Sequence, residues 1–216
     1  SQYHLFKAYQ NYHAERPVVI SFMLLGTASL FFPPLLFLSI SYYAALLIQL
    51  RAFTLRTLLS GLFGLLVPLE LYAGCMLLLG HQALLEHYII ALTDFDSLSL
   101  PQWSLQQFVN GGLIALLFII GCLHYLYTSF NDKIHTRMCF YVIIVQCLIL
   151  YAALALQPRL FDILLPFIVL ESSPVIGHYL TFSKGRSASV CFILAVFFVL
   201  AVIVFNILWN TSLHFF

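Results

Sequence analysis

Val18-Val19-Ile20-Ser21-Phe22-Met23-Leu24-Leu25-Gly26-Thr27-Ala28-Ser29-Leu30-Phe31-Phe32-Pro33-Pro34-Leu35-Leu36-Phe37-Leu38-Ser39-Ile40-Ser41-Tyr42-Tyr43-Ala44-Ala45-Leu46-Leu47-Ile48-Gln49-Leu50 is the stretch on which the fold turns. It is apolar almost throughout, and only Pro33-Pro34 interrupts it. As one kinked helix it would be about 50 Å long. A bilayer with a hydrocarbon core of about 30 Å does not take that length, even with tilt. As two short helices it turns back at Phe31-Phe32-Pro33-Pro34. Proline disfavours helical backbone in the residue before it and fits the first turn of the helix that follows.

The basic residues choose between these readings. With two helices here the chain has seven apolar spans, near residues 17–32, 34–50, 55–80, 108–127, 138–156, 160–182 and 190–208. Lys7, Arg16, Arg51, Arg56, Lys133, Arg137, Lys184 and Arg186 then share one side, and of the nine Lys and Arg only Arg159 falls on the other. A single kinked helix gives six spans and scatters the same residues three against six. Lys and Arg gather in cytoplasmic loops, so the expected arrangement has seven spans, the N-terminus in the cytoplasm and the C-terminus outside. Residues 81–107, with Glu86, Asp94 and Asp96 and no Lys or Arg, become an external segment carrying a short interfacial helix.

Composition agrees with that class. Apolar residues make up 62% and charged residues 8% of 216, with a mean hydropathy of +1.01. Soluble domains carry about 25% charged residues. Backbone groups in lipid have to be satisfied within the segment, so the spans are helices. The expectation is an all-α, polytopic transmembrane bundle forming a single domain over residues 1–216. A net charge of +1 argues against nucleic acid as a partner. Ser1-Gln2-Tyr3 is not an initiator sequence, and the polar residues after it lack the pattern of a secretory signal; the chain reads as the back part of a longer protein.

Polar residues inside apolar spans carry the functional content, because an ionisable group there costs on the order of 2.5–3.5 kcal/mol. Glu70 lies in the third span beside Pro68, and Glu171 near the middle of the sixth, in Leu170-Glu171-Ser172-Ser173-Pro174. Pro166 and Pro174 predict a break near residues 171–174, and a broken helix with a mid-membrane carboxylate suits an ion or substrate site. Gln146 and Asn206 sit at comparable depth and suit hydrogen bonds between helices. Lys133, Arg137, Lys184, Arg186 and His178, with His124 near them, form a candidate site for a lipid head group at the inner leaflet. Asp94 and Asp96 are weak catalytic candidates on the outer segment. Cys75, Cys122, Cys139, Cys147 and Cys191 show no metal-ligand spacing and read as small apolar residues. No metal or cofactor is expected, and no HExxH, GxSxG or phosphate-cradling glycine loop is present.

Residues 24–38, then Arg51-Ala52-Phe53-Thr54-Leu55-Arg56 and Gly64-Leu65-Leu66-Val67-Pro68, resemble an uncharacterised inner-membrane protein family of Bacteroidetes, a domain of unknown function. Lys133-Ile134-His135-Thr136-Arg137 and the tract Pro174…Tyr179…Lys184 extend the likeness. It implies a multi-pass protein of the bacterial inner membrane and no particular reaction. The short Gly-x-Ala-x-Leu-Phe span followed by a proline-led helix is similar to repeats in integral-membrane glycosyltransferases and O-antigen polymerases. Three functions are therefore expected to compete: a component of envelope assembly handling lipid or lipid-linked glycan, a non-catalytic subunit of a membrane complex, and an ion- or proton-coupled transporter using the mid-membrane carboxylates.

Overall fold

The computed structural model describes residues 1–11, 13–93, 104–182 and 186–213. Among them there is helix and no strand. In chain order the helices are α1 (Gln2–Phe6), α2 (Glu15–Phe31), α3 (Leu38–Ala44), α4 (Leu55–Leu78), α5 (Gln82–Thr93), α6 (Leu105–Thr128), α7 (Ile134–Leu156), α8 (Phe161–Phe182) and α9 (Arg186–Leu213). A 3-10 turn, Pro33–Phe37, leads into α3, and a π turn, Ala45–Gln49, follows it. Four helices, α4, α6, α7 and α8, are long and apolar enough to cross a membrane, and α9 carries the apolar stretch Phe192–Ile207. The protein is an all-helical chain of membrane-spanning character.

The helices fall into two compact units, Ser1–Ser97 with Ile134–Gln157, and Leu98–Lys133 with Pro158–Phe216.

In the first unit the chain does turn back at Phe32. Phe22, ten residues before it, packs edge-on against Tyr42, ten residues after it, with ring centroids 5.7 Å apart. A continuous helix would hold those positions about 30 Å apart. Pro33 has no N–H to continue α2, and Phe32 leaves the helical region at φ −134°, ψ 85°. The returning limb closes where Ala52 N–H donates to the Leu46 carbonyl and Leu50 N–H to that of Ala45. Arg51 takes the left-handed conformation there, at φ 50°. Thr54 and Thr57 then cap α4 reciprocally, each side-chain oxygen accepting from the other's backbone N–H.

α4 runs parallel to α2, and glycines set their separation. A Cβ on Gly64 would lie 2.6 Å from the Val19 carbonyl oxygen, and one on Gly26 would lie 2.7 Å from Pro68 Cγ. α7 runs the same way: Tyr9 meets His135 near its start, and Gln157, just past its end, donates to the Ala91 carbonyl of α5. α5 docks through Tyr88, whose hydroxyl lies 3.5 Å from Ser29 Oγ. Burial raises the Tyr88 hydroxyl above its ordinary pKa; the Ser29 hydrogen bond lowers it and nearby Tyr72 raises it further.

In the second unit α6 and α8 are parallel, since Gly111 faces Phe161 and Gly121 faces Val175. α9 runs opposite to α6. The helix α6 begins at Leu105, three residues before the expected start, because Ser104 and Gln107 form a reciprocal cap. The expected break in α8 is absent: the helix is continuous from Phe161 through Pro166 and Pro174 to Phe182. The residue at 174 would have donated to the Leu170 carbonyl, which Pro174 cannot do. Ser173 Oγ donates to that carbonyl instead, at 2.9 Å, and Ser172 Oγ donates to Val169 at 3.2 Å. Ser173→Ala is expected to destabilise the second unit by about 1 kcal/mol, the worth of one such bond, and a detergent-unfolding midpoint reads the change.

Candidate functional site

The second unit contains a cleft of about 560 Å³ walled by α6, α8 and α9. Small-molecule sites occupy about 300–1,000 Å³, so its size suits a ligand. Its long walls are Leu, Ile and Val, with Leu113, Leu165, Val169 and Ile203 among them. The polar groups are few. Asn110 and Asn206 mark the end nearer the start of α6, Ser172 and Ser173 lie midway along α8, and Gly177 leaves room further on. A Cβ on Gly177 would meet nothing within 4 Å.

Asn110 and Asn206 are bonded to each other in both directions. Asn206 Nδ2 donates to Asn110 Oδ1 at 3.0 Å and Asn110 Nδ2 to Asn206 Oδ1 at 3.4 Å. Each amide has two N–H groups and a carbonyl oxygen with two lone pairs, so the reciprocal bond leaves donor and acceptor capacity on both residues. None of the described residues lining the cleft carries a titratable side chain. What that lining offers is an apolar surface with neutral hydrogen-bonding groups at one end.

Towards the other ends of α6 and α8 lies an imidazole cluster. His178 Nε2 is 3.2 Å from Asp132 Oδ2, an ion pair when the ring is protonated; the approach is not aligned as a hydrogen bond. Tyr125 stands edge-on to His178 at 5.0 Å, Phe182 lies 4.7 Å from it, and Tyr179 stands edge-on to His124 at 5.0 Å. His178 was expected at a lipid phosphate with lysines and arginines, and here it meets a carboxylate and aromatic rings. Asp132 had not been singled out, although its place beside Lys133 at a span end made it a natural partner.

The remaining candidates do not converge. Gln146, mid-way along α7 in the first unit, is buried and accepts a hydrogen bond from Gln2 Nε2, a partner the sequence did not suggest. Glu70 is exposed on α4, and Glu171 is half-buried on α8. Glu70 and Glu171 belong to different units. Lys133 is exposed and Arg137 half-buried; Arg186 opens α9. Asp94, Asp96 and Lys184 lie outside the described residues. Cys75, Cys122, Cys139 and Cys147 form no disulfide among the described residues, and no group of three or more His, Cys, Asp or Glu suited to a metal occurs among them. A smaller apolar pocket of about 200 Å³ in the first unit is lined by Phe37, Ile40, Ile149 and Leu156 among others.

Compared with protein-family models, with curated proteins and with solved structures, the chain matches none.

Proposed function

We propose that this is a multi-pass protein of the bacterial inner membrane, acting in envelope assembly, that holds the hydrocarbon part of a lipid or lipid-linked glycan in the cleft of the second unit. The observation that carries this reading is the cleft itself, with its apolar walls, its pair of amides at one end and, among the described residues lining it, no titratable side chain. The amides suit the hydroxyls or phosphate esters of a head group, and the walls suit an acyl or prenyl chain.

Seven crossings with the N-terminus in the cytoplasm form part of the proposal. The hairpin at Phe32 supports it, since a single kinked helix would not bring Phe22 against Tyr42. Helix directions within the units support it too, since seven crossings require α2, α4 and α7 to be parallel and α9 to oppose α6 and α8. The transporter reading loses one support, because α8 is unbroken at Glu171.

Gly177→Leu tests the cleft. The new side chain projects into open space, and Leu favours helix over Gly by about 0.8–1 kcal/mol, so folding is preserved. Native mass spectrometry on protein extracted gently from its membrane, with polyprenyl phosphate and phosphatidylethanolamine then added at equal concentration, should show one lipid bound to the wild type. The variant should lose that lipid by about tenfold or more, the effect of removing roughly 1.4 kcal/mol of binding. Equal occupancy in both proteins overturns the reading.

A further inference from the structure

We infer that the cleft of the second unit takes a glycerolipid, and that Asn110 and Asn206 select it by donating hydrogen bonds to its acyl-ester carbonyls. The inference rests on the lipid-binding reading and names the class of lipid. Both amides line the cleft, and both are half-buried. Each gives one N–H to the other's carbonyl oxygen. An amide has two N–H groups, so the pair keeps two donors at one end of an apolar wall.

Their depth decides what they meet. α6 has 24 residues and is about 36 Å long, so when centred it extends about 3 Å beyond each side of a hydrocarbon core of about 30 Å. Asn110 stands five residues in from Leu105, about 7.5 Å, and hence about 4–5 Å inside the core. α9 gives the same depth independently. Its 28 residues reach about 42 Å, about 6 Å beyond the core on each side, and Asn206 stands seven residues, about 10.5 Å, from Leu213. Drawing a charged phosphate to that level strips its water at a large cost unless a cation meets it. None of the described residues lining the cleft is a cation. A polyprenyl phosphate carries its phosphate directly on the chain and offers the amides only that group or hydrocarbon. A glycerolipid holds two neutral ester carbonyls between its phosphate and its chains. With the phosphate left in water, those carbonyls come level with the amides and accept from N–H groups that would otherwise face hydrocarbon unpaired.

Competition between two phosphatidylethanolamines of equal chain length, one diester and one diether, tests it, since the diether lacks only the carbonyls. Both are added at equal concentration to the full chain in detergent, and native mass spectrometry counts each bound species by its mass. The wild type is expected to hold the diester in roughly tenfold excess, about threefold for each hydrogen bond of average strength in lipid. The double variant Asn110→Leu/Asn206→Leu is expected to hold both equally. Removing both amides leaves neither orphaned, and an unchanged near-ultraviolet dichroism spectrum shows that the variant is folded; the wild-type ratio stands without it. Equal occupancy by the two lipids in the wild type overturns the inference, and if Gly177→Leu still loses them the lipid-binding reading survives. A diester preference that persists in the double variant overturns it too. Polyprenyl phosphate displacing the diester overturns the class of lipid and leaves the cleft as a lipid site. Binding of none of these lipids sinks the inference and the reading together.

Discussion

Gly64→Leu is expected to separate α2 from α4 and to be among the most damaging single changes in the first unit. The first atom of any side chain there would lie 2.6 Å from the Val19 carbonyl oxygen and 3.2 Å from the Met23 backbone nitrogen. Both belong to the α2 backbone, which cannot rotate aside as a flexible side chain can. Overpacking of a tight interior costs about 1–3 kcal/mol and sometimes more, and a backbone clash belongs at the upper end. Stepwise addition of a denaturing detergent, followed by near-ultraviolet dichroism, measures the shift. Gly112→Ala is the matched control: its new methyl group meets nothing within 4 Å, and removing a helical glycine stabilises by about 0.5–1 kcal/mol. A Gly64→Leu protein that unfolds at the wild-type midpoint would show that α2 and α4 do not pack as described.

Phe22→Ala should have an effect of similar size by the opposite route. Phe22 is fully buried, wedged between α4 and the returning limb, with Tyr42 at 5.7 Å and Tyr43 at 4.6 Å. In soluble cores Phe→Ala costs about 3–5 kcal/mol, from lost transfer energy together with a cavity. Lipid solvates an unfolded Phe about as well as the protein interior does, so the transfer part shrinks and packing remains. The expected loss is therefore near the low end of that soluble range, about 3 kcal/mol, again read from the detergent-unfolding midpoint. Phe22→Leu should recover part of it by refilling the space. If Phe22→Ala changes the midpoint no more than an exposed Ile40→Ala does, the hairpin is not held at this ring.

The sequence made the helices legible wherever the cause was local. Pro33 breaks α2 through its own missing N–H, and each long apolar run lies within a helix or helical limb. Ser104 and Gln107 also carried a readable cap, and the apolar count overlooked it because both residues are polar. The reading failed where the cause lay a few atoms off the pattern. Pro174 looks like a break until Ser173 Oγ is seen to serve the carbonyl the proline abandons. Partners distant in sequence could not be read at all: Asn206 bonds Asn110 across 96 residues and Gln146 bonds Gln2 across 144. The polar opening of the chain pointed to no packing, yet Leu5, Ala8 and Ala14 are fully buried within the first unit, because periodicity over so few residues names no face. Of the candidate site, one amide was visible and the cleft was not, since a cleft is a property of three helices together.

The hairpin at Phe32 has a consequence for the lipid around it. α2 has 17 residues, and the limb Pro33–Gln49 is no longer, so each reaches about 25 Å where an average bilayer presents about 30 Å of hydrocarbon. The limbs are too short for the membrane while α4, with 24 residues, is too long unless it tilts. Where both limbs cross the bilayer, as seven spans require, they and α4 meet the same lipid with two different lengths, and acyl chains beside the hairpin shorten or splay. At fractions of a kcal/mol per Å of mismatch, a hairpin of that length favours short-chain lipids as its neighbours.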